Sequence, residues 1–181
     1  MHNNYYFLRQ LTVALRSELV GTRIHSCFSQ EKDELIISFG QTNQPATFML
    51  KAILTANFST LYFPNNFNRA RSNSVNLFPE IIGEEVRELV QHQNERSFYL
   101  ALSNQKALLF KLFGNRSNII YFEQDQAKAL FHKKFPKDLA LELAQMHRQL
   151  QPNKADFFSK STGSRENLSY FRWLTRYFFK K

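Results

Sequence analysis

The spacing of the apolar residues changes at Gly21, and that change constrains the fold more than any other feature of this chain. Before it, Leu8, Leu11, Leu15 and Leu19 recur every three or four residues, while Arg9, Arg16 and Glu18 lie off that stripe. This is one apolar face of a helix over Tyr6–Leu19, and Gly21 just past it is a C-terminal stop. After it, the apolar residues come in short runs divided by turn-forming clusters, which is the pattern of strands. Thr22–Phe28 and Glu34–Phe39 flank the turn at Lys32-Asp33. Ala46–Ala52 follows the turn composition of Gly40–Pro45, and Ser59–Phe63 is closed by Pro64-Asn65-Asn66. Asn65–Asn76 reads as a polar loop leading into a short helix near Val75–Ile82, ended by Gly83.

The strand pattern returns at Val86–Gln93, Ser97–Leu102, Ala107–Phe113 and Asn118–Phe122. The separators are Asn94-Glu95, Ser103-Asn104-Gln105 and Gly114-Asn115-Arg116. Two successive meanders with one apolar face each bury those faces by packing together. The expected class is therefore α+β, an antiparallel β-sandwich of two meanders with flanking helices. Asp138–Leu150 reads as a second helix, with Leu139, Leu143 and Met146 on one side and Pro152 as its stop. Asn153–Asn167 has linker composition. Leu168–Lys181 reads as a basic amphipathic helix with an aromatic arc that includes Tyr170, Trp173 and Tyr177. The organisation expected is a body over 1–150 and an appendage over 151–181, the start of a following helical region.

Composition excludes several classes. The chain has 181 residues with 19 Phe and 7 Tyr, too much apolar mass for a disordered chain. One Cys cannot form a disulfide within its own chain. No run approaches the roughly 18 apolar residues of a membrane helix, and Met1-His2-Asn3-Asn4 lacks the basic start of an export signal. The expectation is a cytoplasmic protein. The formal net charge is +9, and it is unevenly spread. Residues 1–125 hold 12 bases against 11 acids, whereas residues 126–181 hold 12 against 4. A basic, aromatic-rich chain suits a polyanionic partner, of which nucleic acid is the commonest.

Catalytic constellations are missing from the sequence. The five His are scattered, Cys27 sits inside an apolar strand, and 5 Gly form no phosphate loop. No activated nucleophile with its base can be assembled, so the expectation is no enzyme, no cofactor and no metal. Three polar clusters interrupt the apolar strands instead. Arg69-Ala70-Arg71-Ser72-Asn73 is rich in donors, Glu95-Arg96 opens a strand, and Gly114-Asn115-Arg116-Ser117-Asn118 joins two strongly apolar runs. Guanidinium groups grip phosphate in a bidentate way, and Asn and Ser add neutral donors. Each cluster also has the composition of an ordinary surface turn.

The order of these elements resembles a known family. The helix Tyr6–Leu19, then Gly21-Thr22-Arg23-Ile24, then Gln30–Phe39 (QEKDELIISF), then Asn94-Glu95-Arg96, and then Lys111-Leu112-Phe113 running into Gly114–Ile120 (GNRSNII) are similar to the N-terminal domain of the NFACT proteins. These are also called the fibronectin-binding protein A or RqcH family. GNRSNII is the most specific element, and the likeness covers roughly residues 4–150. The resemblance implies a fold similar to the N-terminal domain of formamidopyrimidine-DNA glycosylase. It implies a domain that binds RNA and the ribosome in ribosome-associated quality control. Its partners would be an obstructed large ribosomal subunit and tRNA, alanyl-tRNA in the bacterial family members, and its role would be to support C-terminal tailing of stalled chains.

The family pattern has an Asp-Arg pair where this chain has Glu95-Arg96, so the resemblance implies RNA contact by Arg96 with Glu95 orienting it. Asn115, Arg116, Ser117 and Asn118 match the family's turn element. Asn4 stands where the family has an Asp, which removes a carboxylate and bears on tailing. Arg69 and Arg71 complete the RNA-binding candidates. Two alternatives remain: a surface adhesin, after the family's fibronectin-binding label, and a catalytically dead glycosylase-like DNA-binding domain. The chain begins Met1-His2-Asn3, without the N-terminal Pro and adjacent Glu those glycosylases use. Full family members carry further domains, so the resemblance, with the aromatic arc near the C-terminus, leads to the expectation of a truncated form.

Overall fold

A computed structural model describes residues 4–65 and 67–149. The expectations for the linker and for the helix at Leu168–Lys181 fall outside the described residues.

The first helix, α1 (Tyr5–Leu19), begins where Asn4 caps it. The Asn4 side chain accepts the Tyr6 backbone N–H at 2.8 Å, satisfying one of the donors a helix start leaves open. Leu8, Leu11, Leu15 and Leu19 are all buried, so the leucine stripe is the core face of α1. Gly21 follows with φ +86°, a left-handed position that ends the helix at little cost for glycine.

Among the described residues ten strands follow: β1 (Arg23–Ser29), β2 (Glu34–Gly40), β3 (Ala46–Leu54), β4 (Ser59–Tyr62), β5 (Val75–Asn76), β6 (Val86–Gln91), β7 (Ser97–Leu102), β8 (Lys106–Lys111), β9 (Asn118–Glu123) and β10 (Gln126–Leu130). They form two five-stranded antiparallel sheets, in the orders β4-β3-β2-β1-β5 and β10-β9-β8-β7-β6. Strands β1–β4 and β6–β10 each run as a meander, as expected, and β5 returns to pair with β1. The inner faces meet in one core. Leu35, Ile37 and Phe39 of β2 and Leu50 of β3 belong to it from the first sheet; Phe98 of β7, Phe110 of β8 and Ile119 of β9 belong to it from the second. The α1 leucines close its side. Phe98 and Phe110 are cross-strand partners whose rings stack at 4.7 Å between centroids. A second apolar cluster covers the back of the second sheet, where Leu109, Ile120 and Phe122 pack with Leu130 and with Leu143 of the second helix, α2 (Leu143–Gln149).

Three expectations need correction. The short helix expected near Val75–Ile82 is a two-residue strand, β5, followed by a single 3-10 turn at Pro79–Ile81. Backbone pairing of Val75 and Asn76 with Ser29 and Phe28 wins there over local helix formation. The second helix starts at Leu143 rather than Asp138, because Pro136–Ala140 forms a 3-10 turn and Glu142 pairs with Gln126. Strand β10 lies outside the expected set altogether. It is announced by Gln124 and Asp125, both with positive φ, a tight hairpin turn in the mirror-image geometry that suits strand twist.

Candidate nucleic-acid interface

Sheet register gathers the candidate residues. Ser97, Lys111 and Asn118 are directly opposite one another on β7, β8 and β9. The Glu95-Arg96 turn and the Gly114–Ser117 turn therefore leave the second sheet at the same end. The Leu112 N–H bonds the Arg96 carbonyl at 2.9 Å, which fixes one turn against the other. Glu95 and Arg96 are half-buried, and Asn115 and Arg116 are exposed.

Helix α1 delivers Asn4 to this end. The Arg16 guanidinium donates to the Leu89 carbonyl at 2.8 Å, and the Thr12 hydroxyl lies 2.9 Å from Gln91 Oε1. The helix thus runs antiparallel to β6, and its start lies where β6 finishes. Asn4 there serves as the helix cap.

Ser117 and Asn118 have inward-facing side chains. The Ser117 hydroxyl donates to the Gly114 carbonyl at 2.7 Å and closes the turn, whose Gly114 has φ +62°. Asn118 is 0% exposed, and both ends of its amide are used. Its Oδ1 accepts the His132 N–H at 2.8 Å and the Ile119 N–H at 3.0 Å. Its Nδ2 donates to Asp138 Oδ2 at 2.9 Å and to the His132 carbonyl at 3.3 Å. Asp138 also takes Lys111 Nζ at 2.6 Å. These two residues shape the turn and anchor the segment after β10.

That segment, 131–138, is the part of the site that the sequence reading missed. His132 Nδ1 lies 2.9 Å from the Ser117 carbonyl, which can only accept, so this nitrogen carries the hydrogen. Nε2 lies 3.0 Å from Asp33 Oδ1. Asp33 belongs to the β1–β2 turn, so this contact ties the first sheet to the second at the same end. Lys133, Lys134 and Lys137 are exposed around it. The signal for them was the density of bases in His132–Lys137. Their convergence with Arg96 and Arg116 needed the register.

Arg69 and Arg71 flank this end on the outer face of the first sheet, and both are exposed. The Arg69 guanidinium lies over the Phe28 ring at 4.5 Å from its centroid, and its Nε donates to the Ser74 hydroxyl at 2.6 Å. The Ala70 N–H donates to Gln30 Oε1 at 3.1 Å, which docks the loop on the β1–β2 turn. The result is an end of the sandwich where Arg96, Arg116, Lys133, Lys134 and Lys137 stand together, while the carboxylates of Asp33 and Asp138 are engaged by His132 and Lys111. Such a surface attracts polyanions.

Among the described residues, no group of three His, Cys, Asp or Glu is placed to hold a metal ion, and no helix is long and apolar enough to cross a membrane. Burial pushes the Cys27 thiol far above its ordinary value. Burial likewise pushes the Tyr99 and Tyr121 hydroxyls up to about 12.

No family model matches the chain, and no curated protein matches its sequence. Solved structures do match in fold. The N-terminal domain of the fibronectin-binding protein PavA from Streptococcus pneumoniae is 19% identical, with a TM-score of 0.56 over 69% of this chain and 52% of that one. The fibrinogen-binding protein from Staphylococcus aureus is 16% identical, with a TM-score of 0.59 over 72% of this chain and 50% of that one. The N-terminal part of the fibronectin/fibrinogen-binding protein from Streptococcus suis is 21% identical, with a TM-score of 0.56 over 69% and 51%. The matched region spans about half the length of each of these chains. At such identities the likeness is one of architecture: this chain has the fold of the N-terminal domains of PavA-like fibronectin- and fibrinogen-binding proteins.

Proposed function

We propose that this chain is an RNA- and ribosome-binding domain of the ribosome-associated quality-control type. It would engage an obstructed large subunit and tRNA in the cytoplasm and support C-terminal tailing of stalled chains, with no bond-making chemistry of its own. The observation that carries the reading is the convergence on one end of the sandwich of Arg96, Arg116 and the lysines of 131–137. The resemblance of GNRSNII and Glu95-Arg96 to the NFACT pattern supports it independently, as does the net charge of +9. Arg96 would contact the phosphate backbone, Glu95 would orient it, and Arg116, Asn115, Arg69 and Arg71 would extend the contact.

The test is co-sedimentation of the chain with large subunits, together with tRNA binding measured across salt concentrations. Arg96→Ala is expected to weaken binding and to reduce the slope of log affinity against log salt by about one. RNA binding indifferent to both salt and Arg96 rejects the reading.

A second reading is binding of fibronectin or fibrinogen, favoured by what the similar solved structures are named for. Immobilised fibronectin that captures the chain at physiological salt, with Arg96→Ala binding as tightly, would favour it over the first.

A further inference from the structure

The outer face of the first sheet carries a straight row of side chains that runs from the β4 edge to Arg69, the point where it meets the proposed RNA-binding end. Tyr62 of β4 is directly opposite Lys51 of β3, Lys51 is opposite Ile36 of β2, and Ile36 is opposite Phe28 of β1. Successive partners in a sheet lie about 5 Å apart, so this row crosses four strands in about 15 Å. All four residues sit at positions alternate to the core residues Leu61, Leu50, Leu35 and Cys27, and therefore point away from the core. Two residues of the 64–74 loop complete the row from above. Phe67 lies 6.2 Å from the Phe28 ring, and Lys51 Nζ lies 5.7 Å from the Phe67 ring. Arg69 closes the far end over Phe28.

Along the sheet come Tyr62, Lys51, Phe67, Phe28 and Arg69; Phe28 and Ile36 are buried, with Phe67 and Arg69 against the Phe28 ring, and Tyr62 is the ring that stands open. Tyr62 is 54% exposed on an edge strand. Lys51 is paired with Glu34 at 2.7 Å, so it stiffens the row more than it charges it. Arg69 contacts a ring and a hydroxyl, neither of them acidic, and Arg71 stands exposed two residues on. The open end of the row is thus the exposed Tyr62 ring, and the other end is a cationic rim. Unpaired bases stack on rings of this kind whatever their sequence, while guanidinium groups track the phosphates. A continuous duplex offers no free base to Tyr62.

We infer that this face is a binding platform for single-stranded RNA, with Tyr62 as the base-stacking ring and Arg69 with Arg71 as the phosphate contacts. The choice of RNA rests on the function proposed above; the single-strandedness rests on the exposed Tyr62 ring. The complementary charge commits the face to a polyanion rather than to an apolar partner helix.

The experiment measures fluorescence anisotropy of the full chain with labelled ten-nucleotide oligo(U), with oligo(dT) of the same length, and with a fully paired RNA hairpin. Tyr62→Ala is expected to weaken oligo(U) binding fivefold or more, and Tyr62→Phe, which keeps the ring, is expected to restore it. Arg69→Gln is expected to weaken oligo(U) binding and flatten its salt dependence. The hairpin should be insensitive to Tyr62 and sensitive to Arg96. Unchanged oligo(U) affinity in Tyr62→Ala overturns the platform, as does equal weakening with oligo(U) and with the paired hairpin. Tighter binding of oligo(dT) than oligo(U) overturns the assignment to RNA. Failure of the wild-type chain to bind the hairpin, with Tyr62-dependent oligo(U) binding intact, would reject the RNA-binding end while leaving the platform standing.

Discussion

Asn118 illustrates how a residue can look like a contact in the sequence and be an anchor in the fold. Its motif neighbours Asn115 and Arg116 are exposed, yet its own amide makes four hydrogen bonds inside the protein. Replacing it by Ala strands the His132 and Ile119 N–H groups and one oxygen of Asp138. Each buried group left without a partner costs about 1–3 kcal/mol. Asn118→Ala is therefore expected to lower the free energy of unfolding by about 3 kcal/mol in urea titration, an effect that Asn115→Ala on the exposed turn would not share. Cys27 is a simpler case. Its thiol is buried and held protonated, so iodoacetamide at about pH 8, near the ordinary thiol value, should leave it unmodified in the native chain and alkylate it promptly in urea. Asn4 was legible as a missing charge relative to the resembled family. Its structural role as the cap of α1 was equally legible, because Asn before an apolar-periodic run is a helix-start signal.

At the scale of elements, the strands with β-branched and aromatic residues could be read directly, since their alternation is imposed by a buried face. The strand β10 could not, because Gln126–Leu130 (QAKAL) has small and polar residues and buries only its last side chain. It is held by pairing to β9, a tertiary cause that leaves little trace in its own composition. The candidate site was half legible for the same reason. The guanidinium clusters are visible one by one, but their meeting depends on which strand ends stand opposite, and the contact between Asp33 and His132 joins residues 99 apart. The far end of the sandwich has its own anchor, where Glu84 takes hydrogen bonds from Lys106 at 2.7 Å, from Asn104 at 3.0 Å and from Ser103. Burial alone would raise the Glu84 carboxyl, but these donors and the Lys106 charge outweigh it and hold it below its ordinary value. A depressed carboxyl stabilises the fold above its unfolded value near 4.5, and that contribution disappears as pH falls through the lower folded value. Glu84→Gln should therefore be less stable than the wild type at about pH 7, with the difference shrinking below about pH 4 in denaturant melts.

On the scale of the whole molecule, the charge and the fold divide the chain differently. The sheets are built from 23–130, while most of the excess positive charge lies from 126 onward. The lysines of that excess at 128–137 fall on the segment that forms or follows β10 and reaches the end where Arg96 and Arg116 stand. Substituting Lys133, Lys134 and Lys137 together by Gln should lower RNA affinity by about tenfold at about 50 mM salt and by less at about 200 mM. A phosphate that no lysine neutralises keeps its condensed counterions, so the entropy of their release no longer favours binding, and a gel-shift series in KCl would read the difference.

The two meanders are consecutive: β1–β4 are complete before the 64–74 loop begins, and β6–β10 follow it. Only the two-residue β5 crosses back, while α1 lies against β6 from the other direction. A cut in that loop would leave each half with a nearly entire sheet but a naked hydrocarbon face. Co-expressed as separate polypeptides, 1–70 and 71–181 should find each other and reconstitute the native assembly, so this domain would serve as a two-piece reporter whose signal depends on reunion.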